Sequence, residues 1–531
     1  MSAEPRGSGA RESEPRGGEG LPHQLRVMAR GGTLNLVGGS LNAVFQLLLI
    51  VILTRTLGAH DAGVFFEAVA LFTIVTIAAQ LGAETGLVRT IPPLLAAHRP
   101  HEIPPVISIA VWPVALVTTI IAVTMVGFAP ELVRVFMHGV PEQEGARYIR
   151  LLAPFGPLAT VSLVLLAATR GFGTMVPSVL VEQVGKPAAR IVVVVIALSA
   201  GASLWGVMVA WAVPVGVGFL VALALVRKLL TPTSRGGQPA SPIAGDAVAF
   251  WRFSLPRGLA GIFEVTLGWL DILLVGAFLP PAEVAVYAAA SRIAAIALVA
   301  LRASGTAIAP QLSELLGTGR RREAEGLYQV ATEWLIALSW PVYLTLAVFA
   351  SQVLLTFGPS FEEGGPALVI LSVAMLVNMA TGNVNAVLLM AGKSSWNLAN
   401  ATVALVLNVV LNLILIPRIG IEGAAIAWAA SIVVQNLAGV FQLRVLGFDP
   451  FGRGYALVCG AAALCFGVTG WLVGHRLLEP SWPSLIVSLI LSCGLYVTIL
   501  FLARKTLHLG AIREALGRRP HPGLPHAIRS S

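Results

Sequence analysis

Charge is scarce in this chain of 531 residues: Asp, Glu, Lys and Arg make up 11% of it, against about a quarter in soluble globular domains. With 56% hydrophobic residues and a mean hydropathy of +0.84, that scarcity excludes a water-soluble enzyme. Cysteine is rare too. Cys459, Cys465 and Cys493 all fall in late apolar segments, where small buried hydrophobes explain them and neither a disulfide scaffold nor a redox motif finds support. The first 20 residues lack the apolar core of a cleavable signal peptide and are rich in Gly, Pro, Glu and Arg, so a disordered tail is expected over 1–32. No HExxH, CxxC or GxSxG motif occurs. Ala391-Gly-Lys-Ser-Ser395 has the end of a phosphate-binding loop, but Val387 stands where that loop needs its first glycine and no strand precedes it. The loops expected on the outer side are too short for a catalytic domain, so the chain does not read as an enzyme, and no metal site or cofactor is expected.

Apolar text fills the space that charge leaves. Fourteen stretches have the length of helices crossing hydrocarbon, about 20 residues each, from 33–54 and 63–82 to 455–475 and 484–503. Unpaired backbone is too costly in lipid, and the runs are too long for barrel strands. The expected fold class is therefore an all-α polytopic membrane protein. Of the 35 Lys and Arg residues, 26 fall on one side of the membrane when both termini are placed there, which puts the termini in the cytoplasm. The formal charge of +9 thus reports topology and attraction to anionic headgroups rather than nucleic acid, since the basic residues flank spans instead of forming one water-facing module.

The chain repeats itself. Leu57, Val64, Ala68 and Ile74 meet identical residues 222 positions later at Leu279, Val286, Ala290 and Ile296. At 221 the match continues through Phe136 and Phe357, Glu142 and Glu363, and Gly171 and Gly392, while Trp211 matches Trp428 at 217. An even number of spans per half gives the halves the same topology, related by an axis along the membrane normal. The expected organisation is a first lobe over 33–226, a cytoplasmic linker over 227–254, a second lobe over 255–443, two further spans within 444–503 and a basic tail over 504–531.

Polar groups in mid-membrane are costly and face a cavity or one another. Arg257, Glu264 and Asp271 recur every seven residues along one helical face, and the repeat maps Arg257 onto Asn35 and Glu264 onto Asn42, with Gln46 extending that stripe. Glu182, Lys186 and Arg190 stand four apart; Glu182 and Lys186 are spaced to pair within the helix, which leaves Arg190 unmatched. Arg292 is within reach of Asp271, as a structural or a gating pair. A cavity holding Arg190, Arg257, Arg292 and Lys186, with Asn35, Asn42 and Gln46, suits an anionic headgroup, because guanidinium forks bind phosphate oxygens bidentately. Glu264, Asp271 and Glu182 are the candidates for switching such a cavity between states.

Gly38-Gly-Ser-Leu-Asn-Ala-Val-Phe-Gln46, Leu53-Thr-Arg-Thr-Leu-Gly58 and Ala62-Gly-Val-Phe65, followed by Trp269-Leu-Asp-Ile-Leu-Leu-Val-Gly276, Tyr287-Ala-Ala-Ala-Ser-Arg-Ile293 and Phe357-Gly-Pro-Ser-Phe361, give the chain its resemblance to a known family. In this order it resembles polysaccharide-biosynthesis flippases of the Wzx type, within the multidrug/oligosaccharidyl-lipid/polysaccharide (MOP) exporter superfamily. That resemblance implies two six-helix lobes around a central cavity alternately open to either side, plus two C-terminal helices. It also implies export of a polyprenyl-diphosphate-linked oligosaccharide from the inner to the outer leaflet, in contact with membrane lipids and alongside a polysaccharide polymerase and glycosyltransferases. Proton, sodium and membrane potential stay open as the driving force. Two other readings stay open from the residues alone: a multidrug or metabolite cation antiporter of the same superfamily, and a non-transport scaffold or scramblase.

Overall fold

A computed structural model describes residues 20–231, 244–478 and 481–503, with side chains from residue 34 onward except at 244–246, 260 and 264. Among the described residues there is no strand, and eleven helical stretches are long and apolar enough to cross a membrane. The Gly20–Ala78 and Ser394–Val445 helices each fold back on themselves, at Gly58 and at Ile419–Gly420. The segment 176–199 adds a crossing in shorter pieces, a π-helical turn over Val179–Gly185 running into the Lys186–Ser199 helix. Counted this way the fourteen expected spans are all present.

Two expected boundaries move. The first helix begins at Gly20, inside the segment read as a disordered tail, because once the membrane-borne turns have nucleated a helix, each further residue such as Leu21, Leu25 or Met28 adds a hydrogen bond cheaply. Helices likewise run to Leu230 and resume at Ala244, which shortens the linker expected over 227–254. The tail over 504–531 lies outside the described residues.

Backbone geometry carries the repeat. Gly139 and Gly358, Gly173 and Gly392, and Gly201 and Gly420 each stand 219 positions apart, and all six have positive φ. These are turns after helices, where a side chain would strain the backbone and glycine does not. From residue 139 onward the turns therefore pair Gly173, rather than Gly171, with Gly392. Two lobes of the same helix order result, and the last two helical stretches, Tyr455–Leu477 and Trp482–Leu502, pack on the flank of the Arg321–Val348 helix through Cys465, Phe466 and Tyr496.

The lobes meet unevenly. Toward the hairpin at Gly58, one hydrophobic core runs through both, joining Leu53, Phe65 and Trp211 to Tyr287, Tyr343 and Phe361. There the Gly20–Ala78 helix packs on the Pro281–Ala294 helix, so closely that a Cβ on Gly63 would collide with the Pro281 carbonyl. His138 N–H donates to the Gly276 carbonyl at 2.6 Å, and Arg55 donates to the carbonyls of Leu355 (2.6 Å) and Thr356 (2.8 Å). Toward the end that bears the termini the cores divide, one around Leu87, Ile91 and Ile103, the other around Leu312, Tyr328 and Leu443. The bridge there is the start of the Ala244–Phe278 helix, which lays Phe250 and Ser254 against Gly82 and Gly86.

Candidate functional site

Between the sealed seam and the divided end lie three connected chambers. The first, about 860 Å³, is lined by Arg257, Trp269, Asp271, Arg292, Arg302 and Glu84 among others. The second, about 780 Å³, shares Trp269, Arg292 and Arg302 with it and reaches Asn35, Asn42, Gln46 and Arg170. A third, about 260 Å³, sits inside the first lobe and is entered past Asn42 and Gln46; Glu182, Lys186, Arg190 and Trp211 form its wall. The structure places Arg190, Arg257, Arg292, Lys186, Asn35, Asn42 and Gln46 along these chambers. Glu182 and Asp271 join them. Glu264 lies on the helix between Arg257 and Asp271, and its side chain is outside the described residues.

Sign distinguishes the cavity. Six basic side chains, Arg170, Lys186, Arg190, Arg257, Arg292 and Arg302, face three acidic ones, Glu84, Glu182 and Asp271, among the described residues. Two of the cations are spoken for: Lys186 Nζ is 2.5 Å from Glu182 Oε1, as its spacing predicted, and Arg170 Nη2 is 2.6 Å from Glu84 Oε1. Gly218 lets the buried Lys186 in, since a Cβ there would occupy the space of its Cε. Removing the partner of such a buried charge leaves it uncompensated.

The expected pair of Asp271 with Arg292 does not form; no ion pair joins them among the described residues. Asp271, 4% exposed, instead accepts hydrogen bonds from Asn412 Nδ2 at 2.8 Å and Tyr287 Oη at 3.3 Å. Its place on the helix turns it toward Asn412 of the Ser394–Val445 helix and Tyr287 of the Pro281–Ala294 helix, neutral donors that satisfy it. Arg292 lies over the Trp269 ring, 3.6 Å from Cζ to the ring centroid, and Arg190 lies over Trp211 at 4.0 Å, with Nε donating to the Trp211 carbonyl at 3.3 Å. Gln183 Nε2 donates to Asn35 Oδ1 at 2.6 Å, tying the π-helical turn to the first helix.

Arg170 and Arg302 escaped the sequence reading because they stand at the ends of their spans, where they counted as topology signals. Glu67 escaped too, though an acid inside a span is itself a signal. It is 1% exposed, its carboxylate and the Phe136 carbonyl both lie against Gly276 in the seam, and no described protein group hydrogen-bonds either oxygen. The tryptophans gave no signal at all, since indoles in apolar spans read as packing.

A family model described as polysaccharide biosynthesis protein matches residues 28–316, and one described as MatE matches residues 256–414. The probable low-salt glycan biosynthesis flippase Agl15 of Haloferax volcanii is 24% identical over 483 residues, 90% of this chain and 96% of that protein. Among solved structures, the lipid II flippase MurJ in an inward closed conformation superposes with a TM-score of 0.68 at 10% identity, covering 88% of this chain and 98% of that one. An inward-facing multidrug resistance MATE family transporter of the MOP superfamily gives 0.65 at 16% identity, covering 82% and 98%. At these identities the two structures speak for the fold, a membrane-spanning pair of helical lobes.

Proposed function

Because the chain belongs to the polysaccharide biosynthesis protein family, we propose that it is a flippase that carries a polyprenyl-diphosphate-linked oligosaccharide from the inner to the outer leaflet by alternating access. Both termini face the cytoplasm in this reading, so the sealed seam at Gly63 and Pro281 faces outward and the cavity opens inward. The observation that carries the substrate class is the cationic surplus of the cavity. Once Glu182 and Glu84 are matched to Lys186 and Arg170, Arg190, Arg257, Arg292 and Arg302 have no carboxylate partner among the described residues and are left to meet an anion. Phosphate oxygens suit guanidinium edges, and Asn35, Asn42 and Gln46 supply neutral donors and acceptors for sugar hydroxyls. The chain does no covalent chemistry on its cargo. Seam opening and cavity closure alternate because the ligand binds the two states unequally.

Reconstitution tests this. In proteoliposomes loaded with a polyprenyl-diphosphate-linked oligosaccharide, the protein should raise the rate at which the glycan becomes accessible to an enclosed glycosidase. R190A, R257A and R292A should each lower that rate while leaving membrane insertion intact. Normal transport by all three would remove the cations from the mechanism. The MatE match supports a second reading, a cation antiporter, which predicts protection and transport of organic cations instead. The surplus of arginine in the cavity speaks against it.

A further inference from the structure

Two of the cavity arginines are buried differently from the rest. Lys186 and Arg170 have carboxylate partners, and Arg257 and Arg302 are exposed to the cavity. Arg190 and Arg292 are partly buried in the membrane-spanning bundle without an ion pair among the described residues, and each is stacked on an indole of its own lobe, Trp211 and Trp269. Arg292 makes no hydrogen bond to a described residue, and its Nη2 is buried and unpartnered. An uncompensated buried cation is costly in a bilayer, so its retention needs a reason beyond packing.

Stacking supplies half of one. The π face of an indole attracts a guanidinium and is the strongest of the aromatic faces in doing so. All the N–H donors of arginine lie in the guanidinium plane. An indole against one face therefore leaves the donor edges uncovered and fixes the plane in which they point. Lysine cannot use this arrangement, because its ammonium has no plane to stack.

Resting on the anion-binding reading above, we propose that Trp211 and Trp269 are positioning residues that hold Arg190 and Arg292 as two indole-backed stations for the phosphates of the substrate, one in each lobe. Each station holds its guanidinium in a fixed plane; with Arg190 Nε on the Trp211 carbonyl and Arg292 Nη2 buried, the remaining donors meet a phosphate oxygen. Trp269 and Arg292 line both larger chambers, and Trp211 and Arg190 line the smaller one, so the stations cover the whole run of the cavity. The indoles touch the arginines and need not touch the substrate.

The full chain purified in detergent, titrated with farnesyl diphosphate, farnesyl monophosphate and inorganic pyrophosphate, tests this by direct binding. W269L and W211L should each weaken farnesyl diphosphate about tenfold, while W269F and W211F, which keep a π face, should recover most of the loss. R292K keeps the charge and loses the plane, and it should weaken binding as W269L does. A purely structural tryptophan would lower the melting temperature in W269L and leave R292K binding as wild type, and that result would overturn the proposal. So would leucine variants that bind as tightly as wild type. If wild type binds none of the three probes, the anion reading of the cavity falls, whereas wild-type binding that R292K and the leucine variants leave unchanged removes the stations alone.

Discussion

Asp271 illustrates how a single side chain in this membrane bundle is settled by its neighbours. With Asn412 and Tyr287 donating to it, it is held by neutral groups and carries no ion pair among the described residues. Asp271→Ala leaves Tyr287 Oη without its acceptor and Asn412 Nδ2 with Asn408 alone, and an unmade buried hydrogen bond costs about 1–3 kcal/mol; Asp271→Asn keeps an acceptor oxygen in place. The alanine variant should therefore melt several degrees below the asparagine variant in detergent, and equal melting would mean that Asp271 is not satisfied as seen. As a proposed switching residue, Asp271 makes a second claim. Asp271→Asn should fold yet bias the cavity to one side, read as one-sided labelling of a cysteine placed at Ser291, which lines the cavity.

At the scale of elements, the seam between the Gly20–Ala78 and Pro281–Ala294 helices decides which end is closed. Gly63 meets backbone there, not a movable side chain, so an added methyl group cannot be accommodated by a rotamer change. Gly63→Val should part the helices and raise labelling of a Ser291→Cys reporter by an impermeant maleimide added from the outer side. Labelling unchanged from wild type would mean that the seam yields elsewhere. The π-helical turn at Val179–Gly185 is a second element with a physical role: its extra residue per turn carries Gln183 to Asn35 while Glu182 still reaches Lys186. Gln183→Leu removes the tie and should lower the stability by about 1 kcal/mol, read as a lower melting temperature, without changing the sign of the cavity.

For the whole molecule, a core shared at one end and divided at the other is the geometry of a clamp closed at the Gly58 end. Transport by alternating access requires that end to open. With Cys459, Cys465 and Cys493 replaced, a short bis-methanethiosulfonate cross-linker between Arg55→Cys and Leu355→Cys should stop glycan translocation, and a reductant should restore it. These positions face each other across the lobes, since Arg55 donates to the Leu355 carbonyl. Undiminished transport by the cross-linked protein would exclude separation of the lobes at this end.

Composition, periodicity and the internal repeat by themselves determined that the chain is helical, membrane-spanning and built of two like halves with two helices added. They also singled out Arg190, Arg257, Arg292 and Lys186 as candidates, because a charge inside an apolar run is conspicuous wherever the run folds. The pairing of Glu182 with Lys186 was legible for the same reason, since one helix sets it. Partners on different helices were not: the 21 positions between Asp271 and Arg292 give no angle between their helices, and the fold turns Asp271 to Asn412 instead. Arg170 and Arg302 were hidden among topology signals, Glu67 was legible as an acid inside a span, and the stacking tryptophans became visible only when the helices were packed. The closed end, the division of the cavity into chambers and the indoles behind Arg190 and Arg292 were decided by tertiary structure alone, because each depends on the distance between segments that hydrophobic pattern places in the bilayer but does not orient toward one another.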